Sequence, residues 1–525
     1  MNSEIKDEER QRVPIRRLPT GVSGLDEILA GGLPEYSFNI IAGNPGGGKT
    51  TLAHQIMFAN ATRERPALYF TVLGEPAIKM LRYQQQFSFF DMAKVDGAIR
   101  FINLSHVVME KDLGAVLDAI VKEVEDSNAG MVFVDSFRTM LRKGLVDASG
   151  MELPDFIQRL AMQLTSWQVT SFLIGEYSEA EFRDNPVFTV ADGLLWLNQS
   201  VERNSIVRKM QVIKMRGQNT VPGMHTFRIT DDGVQTFPRT LGLTAQSDVI
   251  KGGRRLKTGV SGFDVLLNGG VPEGDSMLVA GPSGSGKSML ATHFVDEGLR
   301  HGEPAVIVIF EELPKDYIRR AGKLGFDFVK PQEEGTLRIL YLRPLDLSVD
   351  ETVYEVIAAV KEIGAKRVVL DSLVGFEMAL APEFRHEFRE SLYRMIGALT
   401  RTGVTVVSTV EVQENFTSMS LSLSNYAISF LTDDIVRLRY VSIDGRLRKM
   451  MIVVKMRGGP HSIDMHEYTI TDSGVVIGEP LRNYRSLTSG TPETWSWTSQ
   501  NKQDDHPAAL GRDEPDEEPS PGKAE

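Results

Sequence analysis

At 525 residues the chain exceeds what one hydrophobic core organises, so it is expected to divide into two domains of ordinary size with tails. It contains no cysteine, which excludes disulfides, thiolate chemistry and cysteine-based zinc sites together. A net charge of -12 argues against broad nucleic-acid binding, and the lack of a bilayer-length apolar run or a signal peptide points to a cytoplasmic protein without membrane contact.

Residues 1–17 read as a polar, flexible lead-in, with Arg16 and Arg17 solvated. A first domain is expected over 18–238. It opens on Thr20-Gly21-Val22-Ser23-Gly24-Leu25-Asp26 and Gly31-Gly32-Leu33-Pro34-Glu35, then reaches Gly43-Asn44-Pro45-Gly46-Gly47-Gly48-Lys49-Thr50 followed by Thr51. That octet fits the G-x-x-x-x-G-K-[ST] phosphate loop, whose glycines let backbone N–H groups and a helix N-terminus face an anion. Lys49 would reach the β- and γ-phosphates, and the Thr50 hydroxyl would hold Mg²⁺. The apolar run Ala67 to Val72 leads into Leu73-Gly74-Glu75-Pro76, and Met131-Val132-Phe133-Val134 ends at Asp135-Ser136, where the second Mg²⁺ carboxylate of such a site belongs. Gln211-Val212-Ile213 precedes Lys214-Met215-Arg216-Gly217, and Asp231-Asp232-Gly233 marks a closing turn.

The linker is expected over 239–255, where Gly252-Gly253-Arg254-Arg255 reads as a solvated tether, and the second domain over 256–482. This second stretch says nearly the same thing again: Thr258-Gly259-Val260-Ser261-Gly262-Phe263-Asp264, Gly269-Gly270-Val271-Pro272-Glu273, and the phosphate loop Gly281-Pro282-Ser283-Gly284-Ser285-Gly286-Lys287-Ser288 with Met289 after it. A repeat of whole-domain length is a tandem duplication and not a solenoid. Val353, Val356, Ile357 and Val360 fall on one helical face, Gly364 can end that helix, and Arg367-Val368-Val369-Leu370 enters a sheet ending at Asp371-Ser372. Apolar runs alternating with such helices predict, in each half, an α/β fold with a mostly parallel sheet flanked by helices.

The two halves differ in their chemistry. Ala305-Val306-Ile307-Val308-Ile309-Phe310 is followed by Glu311-Glu312 at the edge where a parallel sheet forms its ligand crevice, so Glu311 is the expected base for an attacking water, with Glu312 supporting it. The first half has Leu73 and Gly74 there and a displaced Glu75, which predicts nucleotide binding with poor hydrolysis. Both halves repeat Lys-Met-Arg-Gly: Lys214 with Arg216, and Lys455 with Arg457. Two residues apart on a strand, each pair is read as facing one way, suited to a γ-phosphate; a solvated strand-end pair is the competing reading.

Beyond residue 483 the acidic, Pro- and Gly-containing tail is expected to be disordered. Its Asn501-Lys502-Gln503-Asp504 spells a guanine-reading motif without a strand to hold it, and is read as a decoy. Trp495 and Trp497 read either as a short motif that docks a regulatory partner protein or as exposed tail residues without a role.

The two loops, their Thr-Gly-Val-Ser-Gly-[LF]-Asp leaders, the paired Asp-Ser ends, Phe310-Glu311-Glu312 and the repeated Lys-Met-Arg-Gly together resemble the KaiC family, tandem RecA-fold ATPases of the circadian clock, from about residue 18 to 480. The resemblance implies two RecA-like P-loop domains, ATP and Mg²⁺ as cofactors, and a homohexameric double ring with the Lys-Met-Arg-Gly residues reaching the neighbour's nucleotide. It also implies serine/threonine autokinase activity in the second domain and small regulatory partner proteins. The family's adjacent Ser-Thr acceptors fall on Ser429 and Phe430 here, which leaves Ser429, or else Ser424, as the acceptor. The expected function is therefore an ATPase, working mainly in the second domain, as a signalling or timing switch. A RecA- or helicase-like nucleic-acid motor and a non-catalytic nucleotide-gated scaffold are the rival classes; stimulation of turnover by DNA or RNA would favour the first of them.

Overall fold

The computed structural model describes residues 15–72, 77–110, 113–136, 153–182, 187–202, 205–239, 253–342, 348–380, 388–412, 432–443, 445–472, 474–482, 484–485 and 493–494. In chain order the strands of the first half are β1 (Arg17–Leu18), β2 (Leu33–Pro34), β3 (Phe38–Gly43), β4 (Ala67–Thr71), β5 (Ile99–Asn103), β6 (Met131–Asp135), β7 (Thr170–Glu176), β8 (Gly193–Glu202), β9 (Ser205–Met215), β10 (Met224–Thr230) and β11 (Gly233–Phe237). Those of the second are β12 (Arg255–Leu256), β13 (Val271–Pro272), β14 (Ser276–Gly281), β15 (Ala305–Ile309), β16 (Leu337–Tyr341), β17 (Arg367–Asp371), β18 (Thr405–Glu411), β19 (Asp434–Ile443), β20 (Arg446–Met456), β21 (His466–Thr471) and β22 (Gly474–Pro480).

Each half builds one nine-stranded sheet. The order β5-β4-β6-β7-β3-β8-β9-β10-β11 in the first is the order β16-β15-β17-β18-β14-β19-β20-β21-β22 in the second, so the duplication seen in the sequence is a duplication of topology. The strands from the outer edge to β8, and to β19, run parallel; the remaining three in each sheet form an antiparallel wing. This is the α/β architecture of two tandem RecA-like domains. The parallel strands are buried on both faces, which is why they read as unbroken apolar runs: Ala305 to Ile309 and Val368 to Leu370 are all at most 1% exposed.

The helix-to-strand passage read at 353–370 forms as expected. Ser348 caps the helix Val349–Ile363 by accepting from the Glu351 N–H at 3.1 Å, and Gly364 ends it in the left-handed region at φ 62. That helix also meets the first half: Glu351 pairs with Arg228 of β10 at 2.5 Å, and Tyr354 packs against Phe237. Two residues just outside the expected domains pair with them. Arg17 and Arg255, assigned to the lead-in and the linker, already sit in strands, paired with Pro34 and Pro272. Arg17 joins the folded edge through its backbone while its side chain stays exposed; a two-residue strand is too short to leave a pattern in sequence. The tail, expected without structure from 483, carries a short antiparallel ladder of Tyr484–Arg485 (β23) with Glu493–Thr494 (β24), while the Asn501 to Asp504 decoy and both tail tryptophans lie outside the described residues.

Arg367 opens β17 from inside the core. Its guanidinium donates to Glu303, to the Lys257 and Phe294 carbonyls at 2.7 Å, and lies over the Phe294 ring. With Arg367 only 2% exposed and Glu303 9%, the pair is out of water; Arg254 takes the other Glu303 oxygen, so removing Arg367 leaves that carboxylate one cation and leaves the Lys257 and Phe294 carbonyls without this donor. Arg367→Ala is expected to lower stability by roughly 1–3 kcal/mol, measured as a shift of the urea unfolding midpoint at unchanged slope.

Candidate nucleotide sites

Both phosphate loops form where the central strand of each sheet turns into a helix. Gly43 closes β3, Asn44 to Gly48 make the loop, and Lys49, Thr50 and Thr51 open the helix Lys49–Asn60; Gly281 closes β14, Pro282 to Gly286 make the loop, and Lys287, Ser288 and Met289 open the helix Lys287–Arg300. The last loop glycine is required twice over. Gly48 and Gly286 have φ of 87 and 96, and a Cβ on either would come within 2.6 Å of Ile229 or 2.8 Å of Ile470. Those isoleucines stand on β10 and β21, so the antiparallel wing forms the floor of each loop.

In the second half, Lys287 Nζ donates to the Pro282 carbonyl at 2.8 Å, and the Ser288 hydroxyl donates to Asp371 Oδ1 at 3.1 Å. Glu311, just past β15, accepts from the Ser372 hydroxyl at 2.7 Å, whereas Glu312 is paired with Arg320, whose guanidinium covers the Tyr317 ring. Lys287, Ser288, Asp371, Glu311 and Glu312 all line one cavity of about 860 Å³. Burial lowers the Lys287 ammonium from its usual range, against the carboxylates of Glu411, Asp371 and Glu311, which raise it.

The first half repeats the frame with a different wall. Lys49 Nζ donates to the Asn44 carbonyl at 2.8 Å and Thr50 donates to Asp135 Oδ2 at 2.8 Å, on a cavity of about 500 Å³. Burial pushes Asp135 up and Lys49 down. Leu73, Gly74 and Glu75, on which the expected weakness of this half rests, lie outside the described residues, as do Ser429 and Ser424.

Two carboxylates escaped the sequence reading. Glu176 and Glu411 end β7 and β18, each paired in register with the first glycine of its phosphate loop, Gly43 and Gly281, and each lines its cavity. The signal was there: both halves end the strand next to the loop with a glutamate.

The Lys-Met-Arg pairs sit elsewhere. Neither cavity is lined by them; Lys214 donates to the Thr189 carbonyl and Lys455 to that of Thr432, while Arg216 and Arg457 pair with Asp192 and Asp433 at 3.0 and 3.3 Å. Within each pair both side chains meet one neighbouring stretch, Thr189 to Asp192 in the first half and Thr432 to Asp433 in the second. A β-bulge at Ile213 and at Val454 precedes each lysine, and β9 and β20 end at the methionine, so each arginine follows directly on its strand.

A duplicated loop, strand-end aspartates and repeated Lys-Met-Arg-Gly agree with the comparison to known proteins. The family model described as "ATPase: KaiC" matches residues 18–240 and again 256–482. The chain belongs to the KaiC ATPase family. Among its relatives, the circadian clock oscillator protein KaiC of Picosynechococcus sp. is 28% identical over 491 residues, 91% of this chain and 92% of the relative. KaiC 1 of Synechocystis sp. is 28% identical over 506 residues, covering 93% and 94%. As a KaiC-family P-loop protein the chain binds nucleotide and is an ATPase, and among the described residues no helix is long and apolar enough to cross a membrane.

Proposed function

We propose that this KaiC-family ATPase is an ATP-driven signalling or timing switch whose hydrolysis resides mainly in the second half. The observation that carries this reading is the convergence of Lys287, Ser288, Asp371 and Glu311 on one cavity. A hydroxyl and a carboxylate 3.1 Å apart beside a phosphate loop fit Mg²⁺, which takes one or two protein oxygens and completes its shell from phosphates and water. Ser288 and Asp371, and in the first half Thr50 and Asp135, are the residues that would hold it, and it would neutralise charge on the β- and γ-phosphates. The amides of the loop and Lys287 bind the triphosphate. Glu311, fixed by Ser372, takes the proton of the attacking water.

Lys455 and Arg457 lie outside the cavity of their own chain, which supports a ring in which they reach the nucleotide of the next subunit, and a homohexamer is the closed assembly this reading assigns. The purified chain, incubated with ATP and Mg²⁺, is expected to retain adenine nucleotide in both halves. Lys49→Ala and Lys287→Ala should each lose the nucleotide of one half, with turnover falling further in Lys287→Ala. A larger fall in Lys49→Ala, or no nucleotide retained by the unaltered chain, overturns the reading.

A further inference from the structure

The aspartate beside each phosphate loop accepts a second hydroxyl, and the two halves take it from opposite neighbouring strands. In the second half it is Thr409 of β18, which stands across the parallel ladder from Asp371, one step past the Leu370 and Ser408 pair, and donates to Asp371 Oδ1 at 2.6 Å. The residue across from Asp135 in the first half is Ile174, which has nothing to donate. There the hydroxyl comes from the other side. Tyr69 of β4, paired with Phe133 two residues before Asp135, reaches up the sheet and donates to Asp135 Oδ2 at 2.7 Å. The matching place in β15, paired with Val369 two residues before Asp371, holds Ile307.

Tyr69 and Thr409 are both 0% exposed, and Tyr69 is further held by the rings of His54, Phe101 and Phe133, so neither hydroxyl can turn to water. In each half the extra hydroxyl lands on the oxygen that already accepts from the loop: Oδ2 of Asp135 takes Thr50 and Tyr69, and Oδ1 of Asp371 takes Ser288 and Thr409. Among the described residues the other oxygen of each carboxylate accepts no hydrogen bond.

We propose that Tyr69 and Thr409 are positioning residues with the same role in the two halves, each locking one carboxylate oxygen so that the other is presented to Mg²⁺. The inference rests on the assignment of Asp135 and Asp371 to the metal. A buried hydroxyl that orients a metal-binding carboxylate acts through it, and losing such a partner costs about 10–100-fold in metal affinity. The strand supplying it is immaterial, which explains how Ile174 and Ile307 are tolerated.

The test titrates the full chain, loaded with a non-hydrolysable ATP analogue, with Mn²⁺ as the probe and counts bound Mn²⁺ by electron paramagnetic resonance. Tyr69→Phe should weaken one class of Mn²⁺ site by about 10-fold or more and Thr409→Val the other. Adding Ile174→Thr to Tyr69→Phe should restore the first, because the hydroxyl returns from the opposite strand, a rescue that a merely structural tyrosine would not show. Asp135→Asn and Asp371→Asn separate the metal assignment from the positioning role. If they weaken Mn²⁺ while Tyr69→Phe and Thr409→Val bind it as the unaltered chain does, the positioning role is overturned and the metal assignment stands; if they leave Mn²⁺ binding unchanged, both fall. Thr409→Val carries the test by itself should Tyr69→Phe fail to fold.

Discussion

Glu311→Gln is expected to lower the rate of phosphate release by about 10²–10⁴-fold while leaving nucleotide bound, because the amide keeps the shape of the side chain and loses only its capacity to take a proton. Glu312→Gln should cost far less. The reason is in the placement of the pair: Glu312 is held by Arg320, whereas Glu311 is oriented by Ser372, the residue after Asp371, inside the cavity. Steady-state phosphate release, measured beside the amount of nucleotide retained after rapid desalting, decides it. A glutamine at 312 that is as damaging as one at 311, or a Glu311→Gln chain that turns over normally, would remove Glu311 from the mechanism.

The second large effect concerns Arg457. Its guanidinium pairs with Asp433 away from the cavity of its own chain, so Arg457→Ala should leave nucleotide binding in place and lower turnover by about 10³-fold, the usual worth of an arginine supplied to transition-state charge from a neighbour. Mixing is the sharper measurement. An Arg457→Ala chain keeps an intact phosphate loop, and a Lys287→Ala chain keeps an intact arginine, so co-assembled subunits should recover turnover that neither preparation shows alone. If no ratio of the two recovers activity while rings containing both are present, the arginine does not act between subunits.

The sequence was most legible where chemistry is written contiguously. Each phosphate loop is eight consecutive residues, and the aspartates end unbroken apolar runs, so the residues alone place both on the correct strand ends. What stayed hidden depends on register. That Thr409 faces Asp371 while Ile174 faces Asp135 follows from how parallel strands align across the sheet, and no local pattern near Tyr69 says that its hydroxyl ends on Asp135 two rungs higher. The same limit hid the bulge before each Lys-Met-Arg-Gly, which inserts one residue without any sequence mark. Glu176 and Glu411 were within reach, since a glutamate closing corresponding strands in both halves is visible by eye once the repeat is aligned.

Ile229 and Ile470, which underlie the phosphate loops, enter each repeat near its far end, after the last parallel strand and the long hairpin have been made. The smallest portable piece of this protein is therefore an entire repeat. A shortened version that stops at β8 or β19 would keep every residue of the motif and lose the support beneath it, so engineering by dissection has to cut between the halves and not within them.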